Sequence, residues 1–193
     1  TCINVCPSSV KSHFPSKREI VTVAIKVKKK ESKAEDAIAS EALWLKALNK
    51  QGIGPRFLFS EEEYVVYEFV EGEYIEDWLP KASPEAVKKV LVDVLEQCFI
   101  LDQMKVNKEE MHNPLKHIII DAENMPVLID FERCYETEKP HNVTQFVDFI
   151  GKRQKLLLKK GFAFGLKELR EAAVKYKQTY GEKEFEAMVG LLR

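Results

Sequence analysis

Three charged residues stand in apolar company, where each invites an ionic partner. Lys26 lies inside VAIKV (23–27), a run that otherwise reads as a buried strand. An ammonium there is costly unless something anionic meets it. Glu41 follows fifteen positions later, just before Ala42 and Leu43. Asp130 ends the apolar run VLID and precedes Phe131. A carboxylate closing an apolar strand at a turn is a natural ligand for a divalent cation. Glu68 interrupts VVYEFV, and KEEMHNPLKH (108–117) crowds polar groups at the mouth of a hairpin, among them Glu110 and His117. Such a set suits charge compensation and positioning more than covalent catalysis. Singly, each residue has a plainer reading. Lys26 snorkels from an edge strand, Glu41 is a solvated helix residue, and Asp130 caps a turn.

The elements that must position these groups follow from the residue pattern. IVTVAIKVK (20–28) is β-branched and reads as a strand, after β-like stretches on either side of HFPSKRE. AEDAIASEALWLKALNK (34–50) is helical, with Ala37, Ile38, Leu45 and Leu48 at helical spacing, and Gly52, Gly54 and Pro55 stop it. RFLFS and EYVVYEFV are two strands joined by the acidic turn Glu61-Glu62-Glu63, and EGEYIEDWLP is a connector entering a short helix. Ser83 and Pro84 open a long helix whose stripe is Val87, Leu91, Val94, Leu95, Cys98 and Leu101. KHIIID (116–121) and MPVLIDF (125–131) form a β-hairpin around Ala122-Glu123-Asn124. From about Asn142 the chain is helical, broken near Gly161–Gly165 and near Gly181. The order predicts an α+β fold: a small sheet-plus-helix lobe, a boundary near residues 70–80, then a mostly helical lobe.

Bulk composition narrows the functional classes. The 193 residues suit one domain or two small lobes. With 45% hydrophobic and 32% charged residues, the chain belongs with soluble globular proteins. Lys+Arg 30 against Asp+Glu 31 gives a net charge of −1, which argues against a global attraction to nucleic acid or membrane. Lys152, Arg153, Lys155, Lys159 and Lys160, around Leu156-Leu157-Leu158, form a local basic patch; a solvated face is its plain reading, and an RNA or acidic partner its sharper one. No apolar run approaches the roughly 20 residues that span a bilayer, and the start TCINVCPSSV lacks the pattern of a signal peptide. Cys2 and Cys6 form a C-x3-C without a second metal-ligand pair, and with Cys98 and Cys134 they read as unpaired thiols of a cytoplasmic protein. The chain opens on Thr, which is compatible with an upstream segment.

In this order, VAIKV (23–27), SEALWLKALNKQGIGPRF (40–57), VVYEFVEG (65–72), KEEMHNPLKHIIID (108–121) and VLIDFERC (127–134) resemble the protein-kinase-like superfamily, most closely its small archaeal, RIO-like atypical members. KPHNVTQF (139–146) extends the likeness, which covers roughly residues 8–150. The resemblance implies a bilobal kinase-like fold, with an N-lobe over 1–72, a reduced helical C-lobe over 73–193, and a catalytic-loop hairpin near 108–134. It implies a serine/threonine protein kinase using ATP and Mg²⁺. Lys26 would bind the phosphates with Glu41 as its helix partner. Tyr67 would take the gatekeeper place, and the backbone of Glu68, Phe69 and Val70 would meet adenine. Asp130 would hold the metal with Phe131 packed beside it. Glu110 would be the base, and His117 would replace a metal-binding Asn.

Three departures from the family pattern define the rival expectation, a pseudokinase that binds nucleotide or protein without turnover. No glycine precedes Gly52, so the phosphate loop is reduced to Cys6-Pro7-Ser8-Ser9-Val10, with Ser8 and Ser9 as the residues facing phosphate. The usual H-x-D is absent, and a Glu at the base place shifts the carboxylate by about 1 Å. The metal turn reads D-F-E, with Glu132 in place of Gly. The segment after Asp130 is short, so the acceptor, a protein or small-molecule hydroxyl, stays open.

Overall fold

The computed structural model describes residues 21–28, 37–162 and 165–192. Ser8 and Ser9, and the reduced phosphate loop they belong to, lie outside the described residues. The fold is α+β, with several small antiparallel sheets and seven α-helices among the described residues. The chain divides into two compact units, the first ending at Val70 and the second starting at Glu71.

In the first unit, β1 (Val23–Val27), β2 (Phe57–Glu61) and β3 (Tyr64–Glu68) form an antiparallel sheet in the order β1-β3-β2. Lys26 sits opposite Val65. Helix α1 (Ala37–Leu48) packs on this sheet through Ile38, Ala42, Leu45 and Leu48, all buried. Leu43, apolar by type, points outward and is exposed. A 3-10 turn follows α1 and ends at Gly52, whose φ of 71° is the left-handed conformation glycine adopts without strain. Asn49 then braces the loop. Its Nδ2 donates to the Ile53 and Pro55 carbonyls at 3.0 Å each, and its Oδ1 accepts from the Phe57 amide at 2.6 Å.

The second unit begins where the sequence predicts only a connector. There β4 (Glu73–Tyr74) pairs with β6 (Ile118–Ile120), which pairs with β7 (Pro126–Leu128), so the expected hairpin becomes a three-stranded sheet. Gly72 makes this approach feasible, because a Cβ there would run into the Ile120 carbonyl. The hairpin turn is fixed by Asp121, whose Oδ1 accepts from the amides of Glu123 and Met125 at 2.9 and 2.8 Å.

Helix α2 (Ile75–Trp78) leads to α3 (Pro84–Gln103). Ser83 caps α3 by accepting from the Ala86 amide at 3.2 Å, and Pro84 occupies its first turn. A second small ladder, β5 (Val106–Lys108) with β8 (Cys134–Glu136), brackets the hairpin. The helical end of the chain comprises α4 (Asn142–Lys152), α5 (Gln154–Lys159), α6 (Leu166–Thr179) and α7 (Glu182–Gly190). Aromatic packing joins α3 to α6 and α7: Phe99 stacks on Phe185 with ring centroids 4.3 Å apart, and Tyr176 meets both edge-on or tilted. Cys98 and Cys134 are buried, and burial pushes the Cys98 thiol well up, so Cys98 does not read as a reactive thiol. Among the described residues, no helix is long and apolar enough to cross a membrane.

Candidate functional site

In the first unit, Lys26 and Glu41 meet. Lys26 Nζ donates to Glu41 Oε2 at 3.2 Å. Glu41 lies on the apolar stripe of α1, three residues after Ile38 and four before Leu45, so the helix itself delivers the carboxylate to the sheet. The side chain of Glu41 is 1% exposed and that of Lys26 27%. Enclosing a carboxylate this far is unfavourable without a cation, and β1 supplies one. Lys26 is therefore not a solvated edge lysine.

The strand end assigned to adenine is partly committed within its own sheet. The Glu68 amide donates to the Arg56 carbonyl and the Phe69 amide to the Thr22 carbonyl, both at 2.9 Å. The Glu68 carboxylate pairs at the surface with Arg56 Nε at 2.8 Å. Val70 is left as the one residue of the three outside these bonds.

In the second unit, Glu110, His117 and Asp130 gather around a residue that sequence reasoning passed over. Lys108 ends β5 and its side chain is fully enclosed, although Lys-Glu-Glu reads as a solvated run. Its Nζ lies 3.0 Å from Glu110 Oε2, donates to the Asp130 carbonyl, and sits 5.2 Å from the Phe131 ring centre. The Lys108 amide donates to Asn142 Oδ1 at 2.8 Å, which anchors the strand end to the start of α4. Asp130 has φ +65°, a left-handed conformation that Asp tolerates better than most residues.

His117 stands beside Asp130. Its Nδ1 is 3.7 Å from Asp130 Oδ2, too long for a hydrogen bond, and it is buried without any hydrogen-bond partner. Burial pushes the imidazole below its usual range, and the Lys108 charge adds to this while Glu110 and Asp130 oppose it. A neutral imidazole next to a carboxylate is a pair of donors fit for a divalent cation. His112, by contrast, is exposed and its Nδ1 meets only the Glu109 carbonyl, at 3.1 Å.

Behind Lys108 lies a buried polar network, also missed from the sequence. The Asp102 carboxylate accepts from Asn142 Nδ2 at 2.7 Å, from the Asn142 amide at 3.0 Å and from the Tyr176 hydroxyl at 3.0 Å. Asn142 Nδ2 also donates to the Val106 carbonyl at 2.7 Å. The available signal was Asp102 at i+4 from Cys98 on the apolar stripe of α3. Together these bonds tie α3, α4 and α6 to the strand carrying Lys108.

No protein-family model matches the chain, and no curated protein matches it.

Proposed function

We propose that the chain is a compact atypical kinase with a protein-kinase-like fold, transferring the γ-phosphoryl group of ATP to a hydroxyl, nominally a Ser or Thr of a protein. The observation that carries this reading is the Lys26–Glu41 pair, 3.2 Å apart, with the carboxylate enclosed and the ammonium still a quarter exposed. Such an ammonium is fixed in place yet able to meet an anion, and nucleotide phosphates are the anions the motif order implies. Val70 offers backbone to adenine. Asp130 and His117 would hold the divalent cation, Mg²⁺ by resemblance, which when bound neutralises charge on the phosphate oxygens. Glu110 takes the proton of the acceptor hydroxyl as its oxygen bonds to phosphorus, the bridging P–O bond breaks, and ADP leaves. Glu110 Oε2 faces Lys108, and the remaining lone pairs of the carboxylate serve as acceptor.

One observation favours the second reading, a pseudokinase. The Lys108 ammonium, with no exposure of its own, sits against Glu110. A carboxylate paired this way is held in place structurally, with one oxygen already engaged by the ammonium.

Thermal-shift titration with ATP, with and without Mg²⁺, separates these readings on the wild type, Lys26→Ala and Asp130→Ala. About 100-fold ligand excess over the dissociation constant should contribute about 2.7 kcal/mol. A Mg²⁺-dependent shift lost in both variants supports the kinase reading, and radiolabelled phosphate transfer that fails in Glu110→Gln completes it. A shift indifferent to Mg²⁺ and Asp130, without transfer, supports the pseudokinase. No shift at millimolar ATP sinks the kinase reading and leaves a protein-binding scaffold.

A further inference from the structure

The donor chemistry beside the D-F-E turn differs from that of a magnesium site. Mg²⁺ is a hard ion that keeps waters and takes carboxylate or phosphate oxygens. Imidazole nitrogen belongs instead with first-row transition ions. Here one of the two donors is His117 Nδ1, buried without a hydrogen bond and 3.7 Å from Asp130 Oδ2. An enclosed polar atom lacking a partner is unfavourable, and a cation shared with Asp130 would satisfy it.

The pair is also braced from behind. The His117 amide donates to the Pro114 carbonyl at 3.0 Å, and the His117 carbonyl accepts from the Ile129 amide at 3.0 Å. Ile129 immediately precedes Asp130, so one backbone bond couples the two donors a residue away from the site. The surrounding charge admits a cation. Lys108 is countered by Glu110 at 3.0 Å, Arg133 is exposed, and the Asp130 carboxylate supplies negative charge.

We propose that His117 and Asp130 form a site for a first-row divalent transition ion in preference to Mg²⁺. This rests on the phosphotransferase reading only for the use to which the ion is put, since the donor set is a property of the second unit alone. Mn²⁺ is the stringent probe, because it is the weakest binder of its series at mixed nitrogen and oxygen sites. If Mn²⁺ already outcompetes Mg²⁺, the preference is established.

The experiment titrates the full chain with MnCl₂ or MgCl₂ by calorimetry, without nucleotide. Pulsed electron paramagnetic resonance of the Mn²⁺ form then reads nitrogen coupling, with no adenine nitrogen present to confuse it. The expected result is a dissociation constant at least about tenfold lower for Mn²⁺ than for Mg²⁺. A ¹⁴N modulation should also appear that His117→Asn abolishes while circular dichroism stays unchanged. Asp130→Asn, which keeps the ring, should weaken binding of both ions. Equal affinities, or a ¹⁴N modulation or Mn²⁺ preference that survives in His117→Asn, would overturn the proposal. Absence of ATP binding would end the kinase reading and leave these metal measurements intact.

Discussion

Glu41 Oε2 and Lys26 Nζ stand 3.2 Å apart with very unequal burial, 1% against 27%. The inequality determines which partner is harder to remove. Lys26→Met takes the ammonium from an enclosed carboxylate and is expected to cost about 2–3 kcal/mol, below the full buried-pair value because Lys26 is part exposed. Glu41→Gln leaves a lysine that can turn to water and should cost about 1 kcal/mol or less. Urea unfolding of the two variants checks the order. A glutamine variant as unstable as the methionine one would mean that the pair does not relieve Glu41 burial.

Asp130 sets stability against binding at one position. At φ +65° a residue with a Cβ is strained, and Asp is tolerated better than Ala. With the carboxylate removed in both, Asp130→Ala is therefore expected to be less stable than Asp130→Gly by about 1 kcal/mol. Both should lose cation-dependent stabilisation by ATP. Thermal unfolding with and without cation and nucleotide reads both effects. A glycine variant less stable than the alanine one contradicts the backbone account.

Asp102 gives a pH dependence with a definite sign. Burial pushes its carboxyl above the usual range, and the bonds from Asn142, Tyr176 and Val143 pull it back only in part. The folded state therefore binds this proton more tightly than the unfolded chain does. Stability contributed here is present at low pH and declines as pH rises from the ordinary carboxylate value, near 3.9, through the raised folded value. Asp102→Asn carries no such charge. Unfolding free energy measured from pH 4 to 7 should thus fall in the wild type relative to the variant, and a relative rise would refute the assignment.

Where periodicity carries the information, sequence and structure coincide. Ser83 caps α3, and the hairpin of Ile118–Ile120 with Pro126–Leu128 forms. The pairing of Lys26 with Glu41 is implied by the resemblance in motif order rather than by periodicity, and α1 delivers it by seating Glu41 on its buried stripe between Ile38 and Leu45. What escaped are elements made by distant pairing. Two residues of β4 and three each of β5 and β8 are too short for alternation to register, and their register joins Val106 to Glu136 across the whole hairpin. Lys108 is invisible for the same reason. Its burial depends on β8 and α4 arriving from afar, while its neighbours Glu109 and Glu110 read as a solvated run.

Lys108 itself provides the sharpest contrast between stability and function. Enclosing its ammonium is costly, and the Glu110 carboxylate and Asp130 carbonyl offset that cost. Lys108→Met keeps the length of the side chain and removes the charge, while Glu110, 16% exposed, can turn to water. The expected loss is therefore modest, about 1–2 kcal/mol. Lys108→Arg keeps the charge but forces a planar, larger group into a space with no exposure and off its two partners, so overpacking of about 1–3 kcal/mol adds to the loss of those bonds. The charge-conserving substitution should be the less stable of the two. Cation binding should separate them differently. In Lys108→Met nothing cationic holds the Asp130 carbonyl, the turn loosens, and affinity for Mn²⁺ falls although the protein stays folded. Calorimetric titration beside urea unfolding measures both. If the methionine variant binds cation as the wild type does, Lys108 only fills space, and the geometry of Asp130 is set by the hairpin alone.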